Sequence, residues 1–266
     1  MANEFYVTGA QRGERVGDLF ATIAPRYDLM NDLQSFGLHR YWKRRLVAWA
    51  DMRSGQRALD VCCGTGDIAF GLARRGALVV GVDFSEAMLS IAEGRRRKAE
   101  RRRGAREAEG DAGSGRQALT PESGGSATLN PQFVHGDAQQ LPFPNDWFDV
   151  VTIGYGLRNL ASWEAGLREM QRVVKPGGRL LVLDFGKPDH ALWRGLYFSY
   201  LRLGVPVLGW LFSGSASAYA YILESLRHFP PQRGIAARME QLGLVEVRTC
   251  NLLGGVMGLS TGRKAN

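Results

Sequence analysis

Two acids and two glycines fall within the run Leu59 to Asp67, LDVCCGTGD, and no other stretch of the chain packs so much ligand-binding chemistry into so few residues. Asp60 sits inside a short apolar stretch. Gly64 and Gly66 carry no side chain to hold a ligand off the backbone. The free N–H groups of a helix starting just after Gly66 offer donors to a carboxylate. A second apolar run, Leu78 to Val82, ends in Asp83, where an acid reaches a ribose diol in a βαβ nucleoside site.

The spacing discriminates between ligands. A dinucleotide fingerprint requires G-x-G-x-x-G to make room for a pyrophosphate, and here Ala69 stands where the third glycine belongs. Asp60 and Asp67 would repel a pyrophosphate but suit a ligand with cationic groups. S-adenosylmethionine, with its ammonium and sulfonium, fits better than NAD. A purely structural glycine turn in some other α/β protein is the alternative.

These residues need a strand, a turn and a helix to position them. Arg57 to Cys62 reads as a buried strand, and Ile68, Ala69, Leu72 and Ala73 recur at helical spacing. Ser85 is a good N-cap for a helix through Met88 and Ile91, with Met88 facing core or an adenine ring. Gln132 to Asp137 gives a short strand, and Asp137 or the N–H of Ala138 would meet the adenine edge where parallel strand ends converge. Phe148 to Tyr155 and Arg179 to Phe185 are further strands. Between them Ser162 caps a helix that stops at Pro176, Gly177 and Gly178. This alternation predicts a doubly wound, mostly parallel sheet. Leu244 to Thr249 and Val256 to Ser260 look like a closing antiparallel hairpin at its edge.

Around that core, residues 1 to about 18 read as frayed. Residues 1–55 are expected to form a helical lid, and residues 56–266 the main domain. Tyr27, Asp28, Asn31, His39 and Trp42 form a candidate pocket wall; the plainer reading is that Trp42 and Trp49 staple a helix to the sheet and that His39 is a packing residue. A net charge of +8 is concentrated in Arg95 to Arg106, where eight basic residues face one acid. Without interleaved aromatics this run does not read as a nucleic-acid site. The insertion 94–131 is expected to be a disordered basic segment, its arginine half extending the preceding helix. From Leu192 the chain turns greasy. Pro206 and the small polar cluster Ser213 to Ser217 argue against a transmembrane helix and for a helical cap over 190–230, with an ordinary buried helix pair as the alternative. Three cysteines without metal-ligand spacing, and no apolar run after a basic start, point to a cytoplasmic protein with reduced thiols. No metal is expected, and no feature fixes an oligomeric state.

The order D-x-x-x-G-x-G, an acid after the second strand, GDA and a KPGG turn resembles the class I S-adenosylmethionine-dependent methyltransferases. More narrowly, YDLMNDLQSFGLHRYWKR at 27–44, GLRN at 156–159 and RVVKPGGRLLVLDFGKP at 172–188 resemble the ubiquinone/menaquinone biosynthesis C-methyltransferase family. Two departures are visible: Asp184 stands where that family usually has Glu, and the 94–131 insertion is longer than usual. The resemblance implies a Rossmann-like α/β fold, with a seven-stranded sheet, helices on both faces and a helical cap. It implies S-adenosyl-L-methionine as cofactor and methyl transfer to a ring carbon of a polyprenylated quinol. Demethylmenaquinol is the first choice and a benzoquinol of ubiquinone biosynthesis the second. Peripheral contact at the inner face of a membrane would follow, and no nucleic-acid partner. The remote alternatives are methylation of another small molecule or a sterol-like lipid, and an RNA-binding or RNA-modifying protein using the arginine run.

Carried over residue by residue, the resemblance assigns Asp60, Gly64, Thr65 and Gly66 to the methionine part, Asp83 to ribose, Asp137 and Ala138 to adenine, and Gly154 to the sulfonium. A ring carbon becomes nucleophilic only as the neighbouring oxygen gives up electron density, so a cation must meet developing phenolate charge. Arg158 is expected to do this, with Asn159 holding the ring hydroxyl or a water and Tyr27 closing over the substrate. Arginine stays protonated at neutral pH and so cannot take the proton itself.

Overall fold

The computed structural model describes residues 12–111, 130–213 and 216–266. Period-two burial organises it. In β1 (Arg57–Val61) Ala58 packs into one core while Leu59 and Val61 pack into the other, and in β5 (Val174–Phe185) Leu181 and Leu183 alternate in the same way with Leu180 and Val182. A sheet apolar on both faces needs helices on both.

Seven strands form one sheet in the order β3-β2-β1-β4-β5-β7-β6. β2 (Leu78–Asp83), β3 (Gln132–His135) and β4 (Phe148–Gly154) join β1 and β5 in parallel, whereas β7 (Met257–Lys264) runs antiparallel between β5 and β6 (Leu244–Leu252). The closing hairpin expected from sequence therefore lies at the sheet edge.

On one face lie α1 (Arg12–Ile23), α2 (Tyr27–Ser35), α3 (Leu38–Ala50) and α4 (Asp67–Ala73). α5 (Glu86–Asp111) follows β2, while α6 (Trp163–Val173) lies on the opposite face. Ser162 caps α6 by accepting from the N–H of Ala165 at 3.1 Å. α7 (Ala191–Ser199), a π turn over Tyr200–Gly204, α8 (Val205–Ser213) and α9 (Ala216–His228) form the cap, and α10 (Gln232–Gln241) returns to the sheet. Leu19 of α1, Leu46 of α3, Leu183 of β5 and Tyr221 of α9 belong to one buried cluster, so N-terminal helices, sheet and cap share a core.

Three expectations need correction. Residues 12–18 are not frayed: α1 begins at Arg12, and Leu19 and Ile23 are buried on its inner face. The expected disorder also fails for the first part of the insertion, where the expected extension of the preceding helix through the arginine half is borne out. α5 runs unbroken through the arginines to Asp111, supported by Arg96 bridging Glu93 and Glu100 at i,i+3 and i,i+4 spacing; residues 112–129 lie outside the described residues. Lastly, α6 ends at Val173 and the KPGG segment is already part of β5, which reaches its regular register with β4 after a bulge between Phe148 and Val150.

Candidate active site

The carboxyl ends of β1, β2 and β4 open side by side, where ligands bind in open α/β sheets. At the end of β1 the backbone turns sharply, with Cys62 at φ 53°, Gly64 at φ 54° and Gly66 at φ 86°. Left-handed conformations suit glycine, and at Gly66 a Cβ would come within 2.8 Å of the Phe133 ring. The turn is held by acids. Asp83 accepts from the N–H groups of Gly64 at 2.7 Å and Ser85 at 2.9 Å, and burial pushes its carboxyl upward. Asp60, almost wholly buried, accepts from Ala69 N–H at 3.1 Å and from Thr152 Oγ1 at 2.8 Å, bracing the first turn of α4 from below. Burial lifts the Asp60 carboxyl to about 7, against the pull of those two hydrogen bonds.

In front of this turn is a cavity of about 480 Å³. Gly64, Asp83, Asp137, Ala138, Gly154, Tyr27 and Asn159 all line it, as do Met88 and Phe84. Met88 is thus both core and cavity wall. Four expected site residues are not on that wall, each for a visible reason. Asp60 is turned under α4. Thr65 is buried with its hydroxyl on Asp28 at 3.1 Å, and Gly66 is packed against Phe133. Arg158 lies behind the cavity, paired with Asp184 at 2.8 Å, donating to the Tyr155 carbonyl and stacked 4.5 Å from the Phe185 ring centroid. Its charge is met by the residue at which the chain departs from the family pattern. Asp67 does not face a ligand either: burial opposes its charge, but Lys43 at 2.8 Å and Arg95 at 2.6 Å prevail and hold its carboxyl far below the usual range.

Some wall residues escaped sequence reasoning. Gly13, Val16, Gly17 and Phe20 bring α1 across the cavity, with the Phe84 ring 3.5 Å from where a Gly17 Cβ would sit. The signal was there in the helical spacing of Val16, Leu19, Phe20 and Ile23. Tyr155 was also missed. It directly follows β4 with φ 64°, an uncommon conformation for a residue with a Cβ, and burial drives its hydroxyl pKa well up.

Tyr155 matters because it lines two more spaces. One is a largely apolar pocket of about 230 Å³ walled by Trp42, Phe185, Trp193, Tyr197, Leu201 and others. The second is a cavity of about 30 Å³ lined by Tyr27, Asn31, Gln34, Tyr155 and Arg158 among others, the size of a single water. His39 lines the apolar pocket, its Nδ1 3.0 Å from Ser35 Oγ, and burial brings its imidazole down to about 4, so it is neutral near pH 7. Burial also raises the Tyr27 phenol.

The comparisons with known proteins agree with this architecture. The sequence profile of the ubiE/COQ5 methyltransferase family matches residues 8–108 and 114–264. The chain belongs to the ubiE/COQ5 methyltransferase family. Relatives described as ubiquinone/menaquinone biosynthesis C-methyltransferase UbiE include one from Ectopseudomonas mendocina, 40% identical over 97% of this chain and 92% of its own length. Another from Azotobacter vinelandii is 38% identical over 97% and 93%. Among solved structures, a SAM-dependent methyltransferase from Thermotoga maritima, titled a possible histamine N-methyltransferase, superposes with TM-score 0.60 at 17% identity over 93% of this chain and 98% of its own. A SAM-dependent methyltransferase from Aquifex aeolicus gives 0.53 at 15% over 83% and 88%. These two likenesses bear on the fold alone. As a member of the ubiE/COQ5 methyltransferase family, the chain is an S-adenosylmethionine-dependent C-methyltransferase.

The larger cavity fits that cofactor. Such a nucleoside needs acceptors for its ribose and base edge, an apolar slot for the base and a close backbone approach for its tail, and the wall offers Asp83 and Asp137, Met88 and Phe84, and Gly64, beside which a Cβ would meet nothing within 4 Å. Asn159 adds a buried Oδ1 with no partner among the described residues.

Proposed function

We propose that the chain methylates a ring carbon of a polyprenylated quinol in menaquinone biosynthesis, converting demethylmenaquinol to menaquinol. The observation that carries the reading is Tyr155, a single wall residue shared by the cofactor-sized cavity and the apolar pocket. A ring in the second space would lie beside a methyl group held in the first. The relatives' names couple ubiquinone with menaquinone, so a benzoquinol acceptor is the second reading.

When bound, S-adenosylmethionine supplies the methyl group. In this reading Asp83, whose two oxygens each keep a lone pair after accepting from the backbone, takes the ribose hydroxyls. Asp137 and Ala138 meet the adenine, Gly64 leaves room for the tail, and Gly154, its missing side chain filled by Ile68, lines the cavity beside the sulfonium. Asp60, Thr65 and Gly66 shape the turn without touching the ligand. On the acceptor side, Arg158 and Asp184 polarise the far wall, and Tyr27 and Asn159 flank the reacting edge. The small cavity between Tyr27, Gln34 and Arg158 suits a water that carries off the ring proton. Residues 1–55 act as the lid of a catalytic domain spanning 56–266.

The prenyl tail needs an exit, and the cap supplies an apolar one. Along α7 and α8 the stripe Leu192, Leu196, Leu203, Val207, Trp210 and Leu211 is exposed, while Tyr197, Leu201 and Val205 face the core. Between Asp189 and Glu224 there is no acid, only Arg194 and Arg202. No helix among the described residues is long and apolar enough to cross a membrane. A peripheral contact of this stripe with an anionic leaflet follows, and Trp210→Glu should reduce sedimentation with phosphatidylglycerol vesicles. The main test is the quinone profile of cells lacking the protein. Accumulated demethylmenaquinone supports the assignment, a demethylated benzoquinone supports the second reading, and an unchanged profile contradicts both.

A further inference from the structure

We propose that Gln34, Tyr155 and Tyr197 form a subsite that reads the ring oxygens of the acceptor and admits the reduced, dihydroxy ring in preference to its oxidised quinone. The inference rests on the acceptor reading above and adds residues and a redox selectivity to it.

Buried polar side-chain atoms nearly always have a hydrogen-bond partner, because a bare one forfeits its hydration for nothing. Among the described residues Gln34 Oε1, Tyr155 Oη and Tyr197 Oη have none. All three residues line the same pocket, whose remaining wall is mostly apolar. Bare polar atoms gathered around a greasy pocket are what a ligand with a few polar atoms on an aromatic body would satisfy. Tyr155 carries the further mark of a left-handed backbone, and such strain persists where the surroundings over-determine it, often at a functional site.

The three groups differ in what they can read. Gln34 Nε2 donates to Asn31 Oδ1 at 2.7 Å, which leaves Oε1, an acceptor, as the atom of the Gln34 amide without a partner. A quinol hydroxyl donates to that oxygen. A quinone carbonyl cannot, and it would leave two acceptors face to face. The tyrosine hydroxyls, kept protonated by burial, donate to a ring oxygen in either redox state. Redox discrimination therefore falls to Gln34, and positioning against the cofactor cavity falls to Tyr155. The selectivity serves the chemistry, since only the reduced ring has a nucleophilic carbon.

Trp42 and Trp193 line the pocket, so an aromatic ligand there should quench tryptophan fluorescence. The protein with S-adenosylhomocysteine is titrated under anaerobic conditions with a singly prenylated 1,4-naphthohydroquinone and with its naphthoquinone. The reduced form should bind about 10-fold tighter, the scale of one hydrogen bond to a buried acceptor. Gln34→Met should bring the two affinities within about twofold, and Tyr155→Phe should weaken both forms by about fivefold, with an unchanged circular dichroism spectrum as the check of folding. Equal binding of both forms by the native protein, or a preference that survives Gln34→Met, overturns the inference while leaving quinol methylation standing. A native protein that neither binds nor methylates either ring overturns both.

Discussion

The two halves of the site are built in opposite ways. The cavity proposed for the cofactor is made largely at the ends of neighbouring strands: Gly64 follows β1, Asp83 ends β2, Asp137 and Ala138 follow β3, and Gly154 ends β4. The pocket proposed for the acceptor is assembled from distant pieces, with Gln34 and Trp42 from the N-terminal helices, Phe185 from β5, Trp193 and Leu201 from the cap, and Val256 just before β7. The first half is held by short hydrogen bonds between acids and backbone, whereas the second is held by side-chain packing. A cofactor shared with many proteins is met by backbone geometry that the fold itself supplies. In the proposed reading, the acceptor is met by what the N-terminal helices and the cap bring over the strand ends.

The largest expected effect is at the join between the halves. Arg158→Ala would leave the Asp184 carboxylate buried without its cation, a loss of about 3–5 kcal/mol of stability, read as a fall in urea midpoint. The double replacement Arg158→Met with Asp184→Leu should recover most of that stability. If turnover stays low in the refolded double variant while S-adenosylhomocysteine still binds, the arginine charge serves the reaction; full turnover would make the pair purely structural. Next, Asp83→Ala should weaken cofactor binding by about 100-fold by calorimetry, the scale of hydrogen bonds to a carboxylate. Quenching by a ring ligand in the apolar pocket should persist, and loss of both would show that the halves are not separable. On the other side, Leu196→Glu should raise KM for a long-tailed quinol by about 10-fold and leave cofactor affinity alone.

The smallest effect is in the pH dependence of stability, where two buried groups oppose each other. His39 is held down to about 4, below its unfolded value of about 6.5, so the unfolded chain binds more protons between those values and stability falls as pH drops through that window. Asp60 is lifted to about 7, so the folded chain keeps a proton the unfolded chain has lost, and stability falls as pH rises from about 4 to about 7. Each contributes a slope of at most about 1.4 kcal/mol per pH unit, and they cancel where they overlap. Urea denaturation between about pH 4.5 and 6.5 should show stability rising with pH in Asp60→Asn and falling with pH in His39→Gln. Parallel slopes in the two variants would contradict the assignment.

The same contrast explains what could be read from the residues alone. Strand, glycine turn and acid are local in sequence, so Gly64, Asp83 and Asp137 could be placed before any coordinates. Local pattern could not tell that Asp60 turns inward to brace α4, because an inward and an outward acid look alike until Thr152 of β4 is beside it. Nor could it tell that Arg158 is met by Asp184, which is remote in the chain and adjacent only through the β4–β5 pairing. α1 was misread because its polar residues outnumber the few apolar ones that reach the cavity. The greasy character of the cap was plain, but which of its faces is buried depends on α2 and α9 packing against it.

The central claim is that a methyl group crosses from the cavity beside Gly64 to a ring lodged beyond Tyr155. Its most direct test is incubation of the purified protein, under anaerobic conditions, with methyl-labelled S-adenosylmethionine and a short-tailed demethylmenaquinol, followed by mass spectrometry of the extracted quinone. Label on a ring carbon, diminished in Tyr155→Phe, is the expected result. Binding of the cofactor with no label on that ring, or on the benzoquinol counterpart, would contradict the account.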